Sequence, residues 1–155
     1  REVDTGVKQE LYGLWGPDSA HLLAVGGGGL VLRFNGEKFR TFQAGTDLDL
    51  YAVQGTGLET IFLCGLNGTL IRYENNRWHR EFSGVRGDLH ALETFKEQAL
   101  CVGSNGTVLH RDRDTHGVFR WTPEQAPTEQ TLHAIHADDD ITIAVGANGT
   151  ILKRT

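Results

Sequence analysis

Two groups of side chains in the sequence have the chemistry to bind a metal, a histidine pair and an acidic run. His133 and His136 are three residues apart, and on a strand this spacing places them on opposite faces, so they cannot share a metal. Asp138–Asp140 offers fewer oxygen ligands than a calcium site requires at defined spacing. We therefore interpret the run as a solvated turn between strands, with a metal at Asp138–Asp140 as the open alternative.

Sequence patterns that mark enzymes are missing. There is no Gly-x-Ser-x-Gly, no phosphate-binding loop, no dinucleotide fingerprint and no pair of carboxylates at catalytic spacing. The sequence therefore predicts a non-catalytic protein without a cofactor. A net charge of -5 argues against nucleic acid as a partner, because binding to phosphates requires a basic face. No apolar stretch approaches the length of a membrane span, so we expect no membrane insertion.

The two cysteines, Cys64 and Cys101, lie in apolar runs and are expected to be buried thiols. Aligned on the repeat described next, they occupy adjacent strand positions, which point to opposite faces, so we expect no disulfide between them. Cysteine usage leaves the compartment open, with export to the cell envelope as the favoured alternative.

A recurring phrase organises the whole chain. Its last copy, at 144–153, reads Ala-Val-Gly-Ala-Asn-Gly-Thr-Ile-Leu-Lys, and similar copies begin at residues 24, 63 and 101. Asn-Gly between two apolar strands predicts a tight hairpin, because both turn residues adopt positive φ. The glycine before each turn predicts a bulge or a close approach of two backbone segments. The Asn-Gly pairs are Asn67-Gly68, Asn105-Gly106 and Asn148-Gly149, with Gly28-Gly29 in their place in the first copy.

The phrase belongs to a repeat of about 40 residues. Tyr12, Tyr51, His90 and His133 mark its period, and they are 39, 39 and 43 residues apart. Each repeat contains up to four short apolar strands, and this strand number and repeat length are typical of a propeller blade. We predict an all-β, four-stranded antiparallel β-propeller region over residues 1–155. The repeats span 11–49, 50–88, 89–131 and 132–155, and residues 1–10 form the last strand of a preceding or shared blade.

The repeats resemble a known group of propellers. Leu-x-Ala-[Ile/Val], the phrase itself and a late aromatic residue (Phe39, Trp78 or Phe119) are similar to the bacterial repeats of the photosystem II assembly/stability-factor-like group, which is related to BNR, or Asp-box, propellers. The resemblance implies blade architecture. The sialidase-type Asp-box is not present, so the resemblance implies no glycosidase.

Three arrangements of the blades remain open. Residues 1–7 can pair with 150–155 and close four blades within one chain, since propellers commonly share a blade between their two ends. The four repeats can instead be part of a propeller with more blades. In the third arrangement, two copies associate and complete an eight-bladed ring.

One register of the repeat varies while the strands stay constant. Trp15, Gln54, Glu93 and His136 each end the first, innermost strand of a unit, and we predict that they surround one mouth of the central channel. The neighbouring loops on that face also vary, and rigid strands that present variable loops are typical of a binding surface. These loops are 17–21, 55–59, 94–98 and 137–140 after the first strands, and 35–38, 74–77 and 112–117 after the third strands.

The sequence thus favours a protein-interaction or assembly scaffold that binds a protein partner through the face carrying Trp15, Gln54, Glu93 and His136. The alternative is a carbohydrate-binding propeller in which Trp15, Tyr51 or Trp78 is exposed and stacks on sugar rings.

Overall fold

The computed structural model describes residues 1–154, and Thr155 lies outside the described residues. It contains fifteen β-strands, with a short 3₁₀ turn after the second strand of every repeat. The strands are β1 Leu11–Asp18, β2 His21–Gly26, β3 Leu30–Phe34, β4 Phe39–Gln43, β5 Leu50–Gly57, β6 Thr60–Gly65, β7 Leu70–Glu74, β8 Arg77–Glu81, β9 Leu89–Phe95, β10 Gln98–Gly103, β11 Val108–Arg113, β12 Phe119–Glu124, β13 Leu132–Ala137, β14 Thr142–Gly146 and β15 Ile151–Arg154. The turns are Gly27–Gly29, Leu66–Gly68, Ser104–Gly106 and Ala147–Gly149.

The strands form four antiparallel sheets, one for each repeat. Blades 1, 2 and 3 have four strands each, β1–β4, β5–β8 and β9–β12, and blade 4 has the three strands β13–β15. The first strand of each blade packs against the first strand of the next, β1 on β5, β5 on β9 and β9 on β13. These strands are therefore innermost, and the blades follow one another around an axis as the repeat predicts.

The hairpin turns confirm the Asn-Gly prediction. Asn67, Asn105 and Asn148 have φ of 55°, 55° and 53°, and the glycine that follows each also has a positive φ. In blade 2 the turn is closed by the Thr69 N–H, which donates to the Leu66 carbonyl at 3.1 Å. Asn and Gly adopt this left-handed conformation at the lowest cost, which explains why the phrase recurs so faithfully.

The glycine before each turn allows two backbone segments to touch. A Cβ on Gly65 would lie 2.0 Å from the Asp49 carbonyl oxygen, far inside van der Waals contact. Gly26, Gly103 and Gly146 meet the carbonyls of Glu10, Asp88 and Thr131 at 2.0 to 2.1 Å in the same way. Close approach of the connection between blades is thus the common requirement at these positions.

The hydrophobic core lies between blades rather than within them. Each sheet has two apolar faces, and alternate residues of one strand pack against the preceding and the following blade. Between blades 1 and 2, Val25 and Val31 pack with Val53 and Ile71. Between blades 2 and 3, Phe62 and Leu70 pack with Leu92, Leu109 and Trp121. The strands consequently read as nearly continuous apolar runs.

The cysteines are free and fully buried, as expected, but the expected reason was wrong. Opposite faces of two adjacent blades point toward each other, so Cys64 and Cys101 share the core between blades 2 and 3. Burial raises the pKa of the Cys101 thiol well above its usual value, and the Cys64 thiol adds to that shift.

One further sequence expectation stays a prediction, and one needs correction. Within this chain residues 1–10 form no strand and do not extend the sheet of blade 4, which keeps three strands, so their role as the last strand of a preceding or shared blade stays a prediction. The loops after the first strands are also shorter than predicted, because β1, β5 and β9 run on into them and leave two residues before the next strand. Register shifts at the ends of β1 and β5 allow this extension.

Candidate binding surface at the channel mouth

The four predicted site residues occupy one equivalent position of the blades. Trp15, Gln54, Glu93 and His136 pair across the ladder with Leu23, Phe62, Leu100 and Ile143, respectively. Because these partners are equivalent residues of the second strands, the four side chains lie at the same level on the innermost strands. We call this end the variable mouth.

Side chains of the variable mouth contact each other from blade to blade. Gln54 Nε2 lies 3.5 Å from Glu93 Oε1, at the limit of a hydrogen bond. Glu93 Oε1 also accepts the Thr94 N–H at 3.1 Å, and Glu93 Oε2 lies 3.4 Å from His136 Nδ1. Glu93 therefore connects three blades. Its contacts on Gln54 and His136 are long, so it keeps hydrogen-bonding capacity for a partner.

His136 is the accessible end of this chain of polar groups. Its side chain is 67% exposed, against 17% for Glu93, and its Nε2 lies 3.6 Å from Asp138 Oδ2. Asp138 Oδ1 accepts the N–H groups of Asp140 and Ile141, which hold the pKa of Asp138 below its usual value. The acidic run thus forms a turn with one carboxylate fixed by backbone donors.

Trp15 lies at the blade 1 end of the variable mouth and is held in place by packing. Its ring lies directly over Gly55 of blade 2, where a Cβ would meet the ring carbons at 2.5 Å. The indole also packs against the core between blades 1 and 2. Position 55 therefore requires a glycine, because Trp15 of the neighbouring blade occupies the space that a side chain would need.

The opposite mouth has a different composition. Tyr12, Tyr51, His90 and His133 form a ladder of rings across the four blades, with centroids 5.3, 5.6 and 5.8 Å apart. The hydrogen bond from Tyr12 to Glu10 raises the pKa of Tyr12 to about 12. Burial lowers the pKa of His90, against the opposing effect of Asp88. These marker residues of the repeat pack on one another, which suits a structural role.

The aromatic residues of the carbohydrate alternative are not exposed as that alternative requires. Tyr51 is flanked by Tyr12 and His90, and Trp78 packs on Tyr73 with centroids 4.8 Å apart. Trp15 is only partly accessible because it covers Gly55. All three rings already have a protein partner on at least one side and are only partly exposed, so carbohydrate binding stays a prediction that these contacts do not favour.

Sequence reasoning missed a second polar cluster, between blades 2 and 3. Glu81 accepts hydrogen bonds from Arg72 Nε at 2.7 Å, from two nitrogens of Arg111 at 2.9 and 3.0 Å, and from Trp121 Nε1 at 2.6 Å. Arg111 in turn lies over the rings of Phe62 and Phe119. The repeat carried a signal for this cluster, since Glu124 and Arg154, each 43 residues further on, form the equivalent pair at 2.5 Å between blades 3 and 4.

Within residues 1–154, no group of three or more His, Cys, Asp or Glu side chains is arranged to hold a metal ion. The same residues include no helix with the length and apolar character of a membrane span.

Sequential antiparallel blades of four strands, three in blade 4, with the core between them and first strands innermost, define the chain as a β-propeller. No family model and no curated protein matches the sequence. The computationally designed Ika4 protein is similar in structure, with a TM-score of 0.75 at 15% identity over 96% of this chain and 92% of Ika4.

Two longer proteins show the same fold. The designed Ika8 protein matches 92% of this chain with a TM-score of 0.71 at 15% identity. YCF48 from Cyanidioschyzon merolae matches 92% with a TM-score of 0.56 at 15% identity. The chain spans 45% of the Ika8 chain and 66% of the YCF48 chain.

Proposed function

We propose that the chain is a non-catalytic interaction scaffold that binds a protein partner at the variable mouth. The observation that carries the proposal is the polar chain Gln54–Glu93–His136, in which three blades contribute different side chains at one equivalent position. The rest of each innermost strand follows the repeat. Variation confined to an accessible, partly unsatisfied position is what recognition of one particular partner requires.

The chemistry of the mouth favours a polypeptide with a basic or amide group. Glu93 and Asp138 provide carboxylates, Gln54 provides an amide, and Trp15 provides an aromatic surface at the edge. Backbone amides, lysine and arginine side chains pair with such groups. The resemblance of the repeats to the photosystem II assembly/stability-factor-like group also supports a role in assembling other proteins.

Photo-cross-linking from two positions of one strand tests the proposal. A photoreactive phenylalanine derivative replaces His136 at the variable mouth in one variant and His133 at the opposite mouth in the other. Both are exposed residues of β13. In extracts of the organism that encodes the chain, we expect a specific protein adduct from position 136, which Glu93→Ala removes, and none from position 133.

Two outcomes would contradict the scaffold. One is equal or absent cross-linking from the two positions. The other is specific binding on a glycan array that Trp15→Ala abolishes, which would place the protein among carbohydrate-binding propellers instead.

A further inference from the structure

The two outer faces of the blade series carry the residues that form every internal interface, and part of each is uncovered. On blade 1, Val7 packs against the buried Ala24 and Leu32 and leaves the rest of the face open. On blade 1, Leu14 is 68% exposed, whereas its equivalents Val53 and Leu92 are 5% exposed. On blade 4, Ile151 is 69% exposed, whereas its equivalent Leu70 is 2% exposed because blade 3 covers it. The face of blade 1 therefore has the shape and chemistry that the face of blade 4 packs against.

One turn glycine of blade 4 lacks the neighbouring carbonyl that the other blades have there. It indicates which group a molecule that packs on blade 4 must bring. The last glycine of each turn in blades 1 to 3 faces a carbonyl oxygen of the connection to the next blade. A Cβ at these positions, Gly29, Gly68 and Gly106, would lie 1.8 to 2.1 Å from that oxygen. Gly149 has the same left-handed φ but nothing within 4 Å. The carbonyls belong to Thr46, Val85 and Thr128, each five residues before a marker residue of the ladder. By that count, the missing carbonyl is that of Val7.

Residues 6–10 already adopt the conformation of such a connection. Gly6 has a φ of 72°, close to the 81° of Gly45 and the 75° of Gly84 at the equivalent positions. The Glu10 carbonyl accepts the Gly27 N–H at 2.9 Å, as the Asp49 carbonyl accepts the Leu66 N–H in blade 2. The segment before Gly6 is therefore directed toward the place of a fourth strand in a preceding blade.

The register of that strand follows from blades 1 to 3. Phe42, Glu81 and Glu124 pair with Val31, Leu70 and Val108. The repeat makes Val3 the equivalent of Phe42, and Ile151 the equivalent of Val31. Val3 is 55% exposed, so both members of the expected cross-strand pair present apolar surface to solvent. An unpaired strand edge such as β15 is a ready template for another strand.

We propose that two copies of this chain complete one ring by exchanging their N-terminal segments. Residues 1–5 of each copy add a fourth strand beside β15 of the other, and Leu14 of each covers Ile151 and Val145 of the other. Both junctions are identical, so the ring is closed and two-fold symmetric. A second copy is the occupant that fits, because the face it brings is the one that blades 2, 3 and 4 present inside the chain. This chain also covers 45% of the longer Ika8 chain, a share that agrees with half of a closed ring.

Closure by a single chain is the competing arrangement. In the described residues, β13 packs on β9 and makes no comparable contact with β1, so the innermost strands do not close after four blades. The second copy also extends the variable mouth, since Trp15 of one copy would follow His136 of the other. The self-association is measured without any other partner, so its failure and the failure of the scaffold proposal are separable.

Sedimentation velocity of the 155-residue chain tests the proposal. We expect a particle of twice the 17.1 kDa chain mass. Val3→Lys and Ile151→Asp should each weaken the dimer at least about tenfold, and the double variant should restore it because Lys and Asp then face each other across the strands. Phe82→Lys is the control, since Phe82 is 88% exposed and lies on neither face. A 17.1 kDa particle at every concentration, or singles that leave the dimer intact, would overturn the proposal.

Two further variants keep the test decisive if a charged variant fails to fold. Val3→Cys with Ile151→Cys should give a covalent dimer on mild oxidation, and a cross-link within one chain would show self-closure instead. Gly149→Ala should dissociate the dimer, whereas Gly28→Ala should not. Both glycines have positive φ and open surroundings, so the substitutions carry the same backbone strain in the single chain. Equal effects of the two on the dimer would contradict strand exchange.

Discussion

The Glu81 cluster and the variable mouth contain the same kinds of side chain, but the glutamate is fully hydrogen-bonded in the first and only partly in the second. Each has a glutamate that reaches the next blade, a tryptophan and a cation or histidine. Glu81 is saturated by four hydrogen bonds of 2.6 to 3.0 Å from Arg72, Arg111 and Trp121. Glu93 has one hydrogen bond of 3.1 Å from a backbone N–H and looser contacts of 3.4 to 3.5 Å.

This difference separates a group that holds blades together from a group that is available to a partner. Both carboxylates are largely shielded from solvent, with side chains 15% exposed for Glu81 and 17% for Glu93, so the difference lies in their partners. Arg111, with its side chain 6% exposed, must be paired within the protein, and Glu81 is that partner. Glu93 has no buried cation beside it, and its neighbour His136 is 67% exposed, so its contacts across the mouth stay loose. Removal of equivalent side chains from the two sites should therefore have opposite effects on stability and binding.

The largest expected effect comes from Glu81→Ala. The substitution leaves the buried Arg111, and Arg72 beside it, without the carboxylate that pairs with them, and we expect the free energy of unfolding to fall by about 3 kcal/mol or more. Glu93→Ala should cost less than about 1 kcal/mol, because its ion-pair contact is long and His136 is exposed. Urea denaturation of both variants measures the difference, and similar losses would contradict the distinction.

The two tryptophans give the next largest contrast. Trp121→Phe removes the N–H that donates to Glu81 at 2.6 Å, and we expect a loss of about 1 to 3 kcal/mol. Trp15→Phe removes surface packing over Gly55 and should cost about 1 kcal/mol or less. Thermal unfolding by circular dichroism compares the pair. A greater loss from Trp15→Phe would mean that the mouth is the more structural of the two sites.

Lowering the pH should remove the stability that the Glu81 cluster contributes to the wild-type protein. Burial alone would raise the pKa of Glu81, but the hydrogen bonds from Arg111 and Arg72 outweigh it, so that pKa lies below its usual value of 4.5. A lowered folded-state pKa contributes stability that is complete above about 4.5 and is lost as pH falls through the folded pKa. The difference in unfolding free energy between wild type and Glu81→Gln should thus shrink on acidification. A pH-independent difference would be inconsistent with this assignment.

The smallest effect is expected at the exposed ion pair beside the mouth. Lys96 and Asp139 connect blades 3 and 4, and both side chains are largely exposed. Asp139→Asn should change stability by at most about 0.5 kcal/mol and should lose even that at high salt. A larger, salt-resistant loss in urea denaturation would show that the mouth is held together by this pair.

Much of the fold could be predicted because its signals are local. Asn67-Gly68 fixes a turn by its own φ preferences, and the period then places Gln54, Glu93 and their equivalents in one register. Neither step requires knowledge of how blades face each other. The variable mouth is therefore accessible to sequence reasoning as a position, although its hydrogen bonds are not.

The features that were missed depend on contacts between blades. Glu81 and Arg111 are 30 residues apart and belong to different sheets, so neither strand alone shows that they meet. Cys64 and Cys101 were assigned opposite faces correctly, but those faces belong to neighbouring blades and point at each other. Alignment of Glu81 with Glu124 and of Arg111 with Arg154 was the signal that could have revealed the ion pairs.

Hydrogen–deuterium exchange of the chain with the partner recovered by cross-linking tests the central claim most directly. We predict slower exchange in the turns after β1, β5, β9 and β13 and at the backbone around Glu93 and His136. The Asn-Gly turns at Asn67, Asn105 and Asn148 should be unchanged. Protection centred on those turns, or on neither end of the channel, would contradict binding at the variable mouth.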